Sequence, residues 1–220
     1  MSSQRKWRLA FVASLTIGRA PLILAFLLIT IVGRRPLSDV WFSAAFGAMI
    51  LSAVTDLLDG WFARKLDVVT RFGGYFDPLV DKVFYLATLP TLVYLAAVDG
   101  STFHARLLLG LTIFFLLRDQ WVSFLRSLGA IHGRSGKANW SGKLRTVMAF
   151  PIICVIYYYL EAPKDWWLQV PTWLVYALEV AGIAVSVLSL WVYTTAYWPY
   201  IRHEFTAFDG GEDRDPPGTS

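Results

Sequence analysis

Six long apolar runs, roughly residues 17–33, 41–62, 75–98, 105–127, 143–160 and 172–198, take up most of the chain. A bilayer core is crossed by about 20 mostly apolar residues in helix. Inside hydrocarbon every backbone N–H and C=O must be paired within its own segment, so runs of this length are expected to be helices. The expected fold is an all-α integral membrane protein with six transmembrane helices. Composition agrees: 56% of residues are hydrophobic and 16% charged, against about 25% charged in soluble domains. Breakers separate the runs. Gly33 and Pro36 in GRRP stop the first. HGRSGKANWSGK, rich in Gly and Ser, precedes the fifth, and EAPKDWWLQVP precedes the sixth. Trp166 and Trp167 in that last link suit a membrane interface, and the YYYL run at 157–160 reads as part of the same girdle.

Both ends of the chain differ from the middle. Residues from about Gln4 to Ser14, with Trp7 and Phe11, read as a short amphipathic helix lying on the membrane surface. The basic N-terminus runs into Arg19 with no A-x-A site, so no cleaved leader is expected. Residues 206–220, ending FDGGEDRDPPGTS, are acidic and rich in Gly and Pro. They are expected to be a disordered tail behind one membrane domain, 1–205. Cys154 is the single cysteine, so no intrachain disulfide can form.

An even number of spans puts both termini on one side. Arg5, Lys6, Arg8, Arg19, Arg64, Lys65, Arg71, Lys82, Arg126, Arg134, Lys137, Lys143, Arg145 and Arg202 fall on that side, against Arg34, Arg35, Arg106 and Lys164 on the other. Basic loops mark the cytoplasm, so both termini are expected there. The formal +4 charge, 20 Lys+Arg against 16 Asp+Glu, reflects these loops, and no nucleic-acid partner is expected.

One stretch breaks the apolar pattern: 56-DLLDGWFARKLDVVTRFGGYFDPLVDK-82, with five aspartates at the junction of the second and third runs. Asp56 and Asp59 are three apart, and Asp77 and Asp81 four apart, so each pair shares one helix face. The turn RKLDVVTRFGG would make the two helices antiparallel neighbours with facing carboxylate pairs. Four such carboxylates need either protons or cations. All-oxygen ligation suits hard divalent ions, and four carboxylates suit two of them, Mg²⁺ or Mn²⁺. Gly60, Ala63 and Gly73 leave room for a close approach, and Arg64 offers a fork for phosphate. Metals, an arginine and an open groove fit phosphoryl-type transfer.

The pattern Asp56-x2-Asp59-Gly60-x2-Ala63-Arg64-x8-Gly73-x3-Asp77-x3-Asp81 resembles the signature of the CDP-alcohol phosphotransferase family, and all eight of its residues match. The resemblance implies a helical membrane enzyme, a homodimer with two divalent metals. Such an enzyme transfers a phosphatidyl-type group from a CDP-linked lipid to an alcohol and releases CMP. By resemblance, Asp56, Asp59, Asp77 and Asp81 ligate metal, and Asp81 is also the base for the acceptor hydroxyl. The CDP-lipid would be held by Asp56, Gly60, Ala63, Arg64, Thr70 and Gly73. Asp67 lies outside the pattern, as a loop charge.

Other segments are similar to the branch that makes phosphatidylglycerophosphate: LTIGRAPLI, FDPLVDK, Arg118-Asp119 where Arg-Glu is usual, and Gly142-Lys143-Leu144-Arg145-Thr146 where GK-x-KT is usual. The implied donor is CDP-diacylglycerol and the implied acceptor glycerol 3-phosphate, at the cytoplasmic face of the inner membrane. A phosphorylated acceptor needs fixed cations, and Arg118, Arg126, Lys137, Lys143 and Arg145 fall on the correct side. Within the family, phosphatidylglycerol (for a cardiolipin synthase) or inositol phosphate are alternative acceptors. Outside it, a cation transporter could use intramembrane aspartates, though transporter sites lie nearer the midplane. Glu179 is expected to meet a polar partner inside the bundle, and His104, His132 and His203 to be solvated.

Overall fold

The computed structural model describes residues 3–33, 35–66, 71–133, 140–166 and 168–209. Within these, the side chains of 3–6, 8–13, 15–16, 56–57, 59–61, 63–64, 71–78, 81, 143, 146 and 206–209 fall outside the description. The elements are six α-helices: α1 (Ser3–Val32), α2 (Asp39–Lys65), α3 (Arg71–Val98), α4 (Thr102–Ile131), α5 (Trp140–Glu161) and α6 (Thr172–Asp209). By length and composition, α4, α5 and the Thr172–Phe205 part of α6 are candidate membrane spans. Among the residues with described side chains, the other three carry shorter apolar stretches, Ile17–Val32, Asp39–Thr55 and Lys82–Val98. α1 starts in the basic SQRKWR segment, and α2 and α3 each contribute one end to the aspartate stretch.

α1 packs on α2 and α3, and α4 on α6 and α3, while α5 touches α2, α3 and α6. The larger core contains Phe26, Phe42, Met49, Leu89, Leu92, Ile153 and Tyr157. A smaller core joins α4 to α6 through Val122, Leu125, Tyr193, Tyr197 and Ile201. Burial is inverted relative to a soluble protein. Val147, Trp173 and Trp191 face outward, whereas Arg19, Arg118, Arg145 and Glu179 are buried. A lipid surround accounts for both halves of this pattern, since charge is costly against hydrocarbon and apolar side chains are not.

Polar contacts define two ends of the bundle. At one end Arg35, after α1, pairs with Glu161 at the close of α5 at 2.7 Å. At that end Tyr159 also meets Thr172 at 3.0 Å, and His104 meets Glu179 at 2.6 Å. The opposite end collects Lys82 of early α3, Ser123 of late α4, Arg145 of early α5, and Ser189 and Tyr193 of late α6. This alternation follows from consecutive helices that run back and forth.

Three expectations need correction. The N-terminal segment is not a separate surface helix, because α1 runs unbroken from Ser3 to Val32. ASLTIGR contains no strong stop, and Pro21 is accommodated within the helix. The tyrosines of YYYL do not form an outer girdle. Tyr157 is fully buried, Tyr158 nearly so, and both pack on Phe42, as does Trp166 at 5.0 Å between ring centroids. Tyr hydroxyls tolerate burial when paired, and that of Tyr158 donates to Leu168 O at 3.1 Å. His104 is buried, not solvated, and Glu179 is its partner. At the other terminus α6 continues through Pro199 to Asp209, and the rest of the segment read as a tail lies outside the described residues.

Candidate active site

The aspartate stretch straddles the α2–α3 connection. Asp56 and Asp59 lie in the last turns of α2, and Asp77 and Asp81 in the first turns of α3. Both segments are helical, so the three- and four-residue spacings place each pair on one helix face. Gly60, Ala63 and Arg64 share α2 with the first pair, and Gly73 shares α3 with the second. The side chains of these residues are outside the described set, as are residues 67–70, which include Thr70. Lys137 lies in the undescribed α4–α5 link, and Lys143 belongs to α5 without a described side chain. Among the described residues α2 and α3 make no direct contact, and the expected facing of the two carboxylate pairs falls outside the described residues.

Next to this stretch the described residues form a definite structure. Lys82 follows Asp81, and its Nζ donates to Ser123 Oγ on α4 at 2.9 Å. Ser123 Oγ in turn donates to the carbonyl of Asp119 at 2.8 Å. The Asp119 carboxylate lies between two guanidiniums, 3.6 Å from Arg118 Nη1 and 3.2 Å from Arg145 Nη2. Arg118 also donates from Nε and Nη2 to Ser189 Oγ at 2.9 and 2.8 Å. Arg126 Nη2 donates to Tyr193 Oη at 2.8 Å. One tyrosine ring serves two cations, with Arg118 Cζ 5.2 Å and Arg126 Cζ 5.5 Å from its centroid. Arg145 lies 3.7 Å over the Phe115 ring. Planar guanidiniums favour such stacking and are less hydrated than an ammonium, which lets arginine be held at depth.

Three of the five expected acceptor-site residues, Arg118, Arg126 and Arg145, thus come together from α4 and α5. Arg118 and Arg145 are buried, while Arg126 is half-buried. Arg126 Nε is itself buried and has no hydrogen-bond partner among the described residues.

Sequence reading missed four participants. Asp119 was noted only as a neighbour of Arg118, yet it joins α4 to α5. Ser189 and Tyr193 are four apart on α6 and share one face. The signal available for them was a run of polar groups, Glu179, Ser186, Ser189 and Tyr193, along an otherwise apolar helix. Gly142 was read only as part of a motif. A Cβ there would lie 2.7 Å from Tyr193 Oη and 3.3 Å from Arg118 Nη2. A side chain at 142 would force the Tyr193 hydroxyl to shift, so its absence lets the start of α5 lie close against the cluster.

Residues 12–188 match the family model for CDP-alcohol phosphatidyltransferase. The chain is 33% identical over 140 residues to the CDP-diacylglycerol–glycerol-3-phosphate 3-phosphatidyltransferase of Bacillus subtilis, covering 60% of this chain and 68% of that one. The protein of the same name from Escherichia coli is 27% identical over 181 residues, 80% of this chain and 87% of that one. A chloroplastic rice counterpart is 36% identical over 100 residues, 46% of this chain and only 26% of the longer rice protein. The family match covers well over half of the chain and includes both the aspartate stretch and the arginine cluster, so the protein belongs to the CDP-alcohol phosphatidyltransferase family.

Proposed function

We propose that this enzyme transfers the phosphatidyl group of CDP-diacylglycerol to sn-glycerol 3-phosphate, giving phosphatidylglycerophosphate and CMP. The observation that carries the choice of acceptor is the cluster of Arg118, Arg126 and Arg145, tied to α3 one residue from Asp81. An acceptor that already bears a phosphate needs fixed cations beside the base, and forked guanidiniums at depth provide them. The names of the bacterial relatives support the same acceptor.

The donor set at Asp56, Asp59, Asp77 and Asp81 is all carboxylate, on two joined helices. It fits two hard divalent cations, Mg²⁺ or Mn²⁺, and fits softer metals poorly. When bound, these ions supply charge neutralisation for the diphosphate and the departing CMP. The residues do the rest. Arg64, with Gly60, Ala63, Thr70 and Gly73, receives the CDP portion. The arginine cluster orients glycerol 3-phosphate by its phosphate, so that its free primary hydroxyl points at Asp81. Asp81 takes the hydroxyl proton as that oxygen bonds to the lipid-linked phosphorus. The bond from that phosphorus to the CMP oxygen breaks, and CMP leaves with the electron pair.

The six helices all cross the membrane in this reading, and both termini and the aspartate end face the cytoplasm. The protein acts as a homodimer in the inner membrane, with residues 1–205 as the catalytic domain and 206–220 as an acidic tail. The test is CMP release by purified protein with CDP-diacylglycerol, Mg²⁺ or Mn²⁺, and one acceptor at a time. Turnover with glycerol 3-phosphate supports the proposal. Turnover only with phosphatidylglycerol or inositol phosphate replaces the acceptor, and cation flux without CMP release replaces the function.

A further inference from the structure

The far ends of α4 and α6 bring together three side chains that are distant in sequence. His132 follows the last turn of α4 as its cap, and His203 and Glu204 lie near the end of α6. One possible ligand atom from each falls within 4.8 Å of the others. His132 Nε2 is 3.3 Å from Glu204 Oε1. The His203 ring stands at 81° to that of His132, with centroids 5.5 Å apart.

The orientation of His132 is set from behind. Its Nδ1 lies 3.1 Å from the carbonyl oxygen of Leu128. A carbonyl can only accept, so Nδ1 carries a proton and Nε2 turns toward Glu204. A lone pair on Nε2 facing a carboxylate oxygen would be repelled, so a proton or a cation must lie between them. An imidazole held by a backbone carbonyl on one nitrogen, with the other aimed at a carboxylate and a second imidazole, is the usual setting of a metal-binding histidine.

A Cβ on Gly129 would come within 2.5 Å of Tyr197 Cε1, so α4 and α6 are in close contact one turn before the cluster. Tyr200 lies 5.3 Å from the His132 ring. The Glu204 side chain is 52% exposed and that of His132 22%, which leaves an entry path and room for a water ligand. His132 lies six positions beyond Arg126, about 9 Å along the α4 direction, so the cluster neighbours the arginine site and shares no residue with it.

We propose that His132, His203 and Glu204 bind one borderline divalent cation of the zinc type, joining the end of α4 to the end of α6. Two imidazoles and one carboxylate suit Zn²⁺ or Co²⁺, whereas Mg²⁺ and Mn²⁺ prefer oxygen-only sets. The two classes of metal can therefore be separated experimentally.

The test uses the full chain in detergent, with any polyhistidine tag removed and Mg²⁺ kept in millimolar excess to occupy carboxylate sites. Zn²⁺ affinity is measured by competition with a chromogenic chelator, and Co²⁺ binding by visible absorption. One equivalent of Zn²⁺ is expected, with Co²⁺ bands of imidazole ligation. Affinity should fall about tenfold or more in His132→Ala and in His203→Ala, and in Glu204→Gln. Unchanged affinity in all three variants would overturn the proposal. So would the absence of Co²⁺ bands from the wild-type protein, a result that does not depend on any variant folding and would leave a proton alone between His132 and Glu204.

Discussion

Arg126 makes one strong hydrogen bond, to Tyr193, and keeps Nε buried without a partner among the described residues. A buried donor to a charged ligand is worth about 1.5–3 kcal/mol. Arg126→Ala is therefore expected to raise KM for glycerol 3-phosphate by about ten- to a hundredfold, with a smaller effect on KM for the CDP-lipid. Equal losses for both substrates in steady-state kinetics would mean that Arg126 supports the fold and does not hold the acceptor. Asp81 has the opposite signature. As the proposed base it should affect kcat, and Asp81→Asn is expected to lower kcat by about 10²–10⁴; because Asp81 is also a proposed metal ligand, the Mg²⁺ needed for half-maximal activity should rise, and the loss in kcat should persist at saturating Mg²⁺. Near-normal turnover would remove it from that role. At Gly142 the constraint is steric. A methyl group 2.7 Å from Tyr193 Oη must displace the ring or the helix, so Gly142→Ala should lower activity while Gly110→Ala, where a Cβ meets only Ile183 at 4.0 Å, should not.

At the scale of elements, legibility followed local pattern. Apolar runs bounded by Gly33, Pro36 and the polar links located six helices, because hydrocarbon leaves a segment of that length no other way to satisfy its backbone. What could not be read was which faces meet. His104 and Glu179 are 75 residues apart and pair only because α4 and α6 lie side by side. Ser189 and Tyr193 joined the arginine cluster for the same reason. The tyrosines at 157–160 were misread because an aromatic run suits an interface and a core equally well, and only packing on Phe42 decides between them. The buried His104–Glu179 contact carries a stability prediction. Glu179→Ala leaves a buried imidazole without its partner, at a cost of about 1–3 kcal/mol, or roughly 2–12 °C in thermal midpoint for a chain of this size. Glu179→Gln, which preserves a hydrogen bond, should lose less. Equal thermal scans for Glu179→Ala and wild type would show that the pair contributes nothing.

For the whole molecule, the two-ended distribution of polar contacts makes orientation testable. Asp99 lies in the α3–α4 turn, at the end holding Arg35 and Glu161, while Ile131 closes α4 at the other end, and both are exposed. In a Cys154→Ala background, Asp99→Cys should react with an impermeant maleimide added outside intact cells. Ile131→Cys should react only after permeabilisation. The reverse pattern would turn the site to the outside, away from cytoplasmic glycerol 3-phosphate. The spacing of the aspartates was legible because it is local to two consecutive helices, and their metal-binding role belongs to the proposal. The arginine cluster was less legible, because its side chains and their partners come from α4, α5 and α6 and meet only in the folded bundle.

In the proposed reaction a carboxylate centre and an adjoining arginine cluster together transfer a phosphatidyl group to a phosphorylated alcohol. CMP release tests this in purified wild-type protein and in Arg126→Ala, with CDP-diacylglycerol and Mg²⁺, across glycerol 3-phosphate, glycerol, phosphatidylglycerol and inositol phosphate. Turnover is expected with glycerol 3-phosphate, with little from unphosphorylated glycerol, and a loss in Arg126→Ala that high glycerol 3-phosphate largely restores. Equal turnover with glycerol, or preference for another acceptor unaffected by Arg126→Ala, would contradict it.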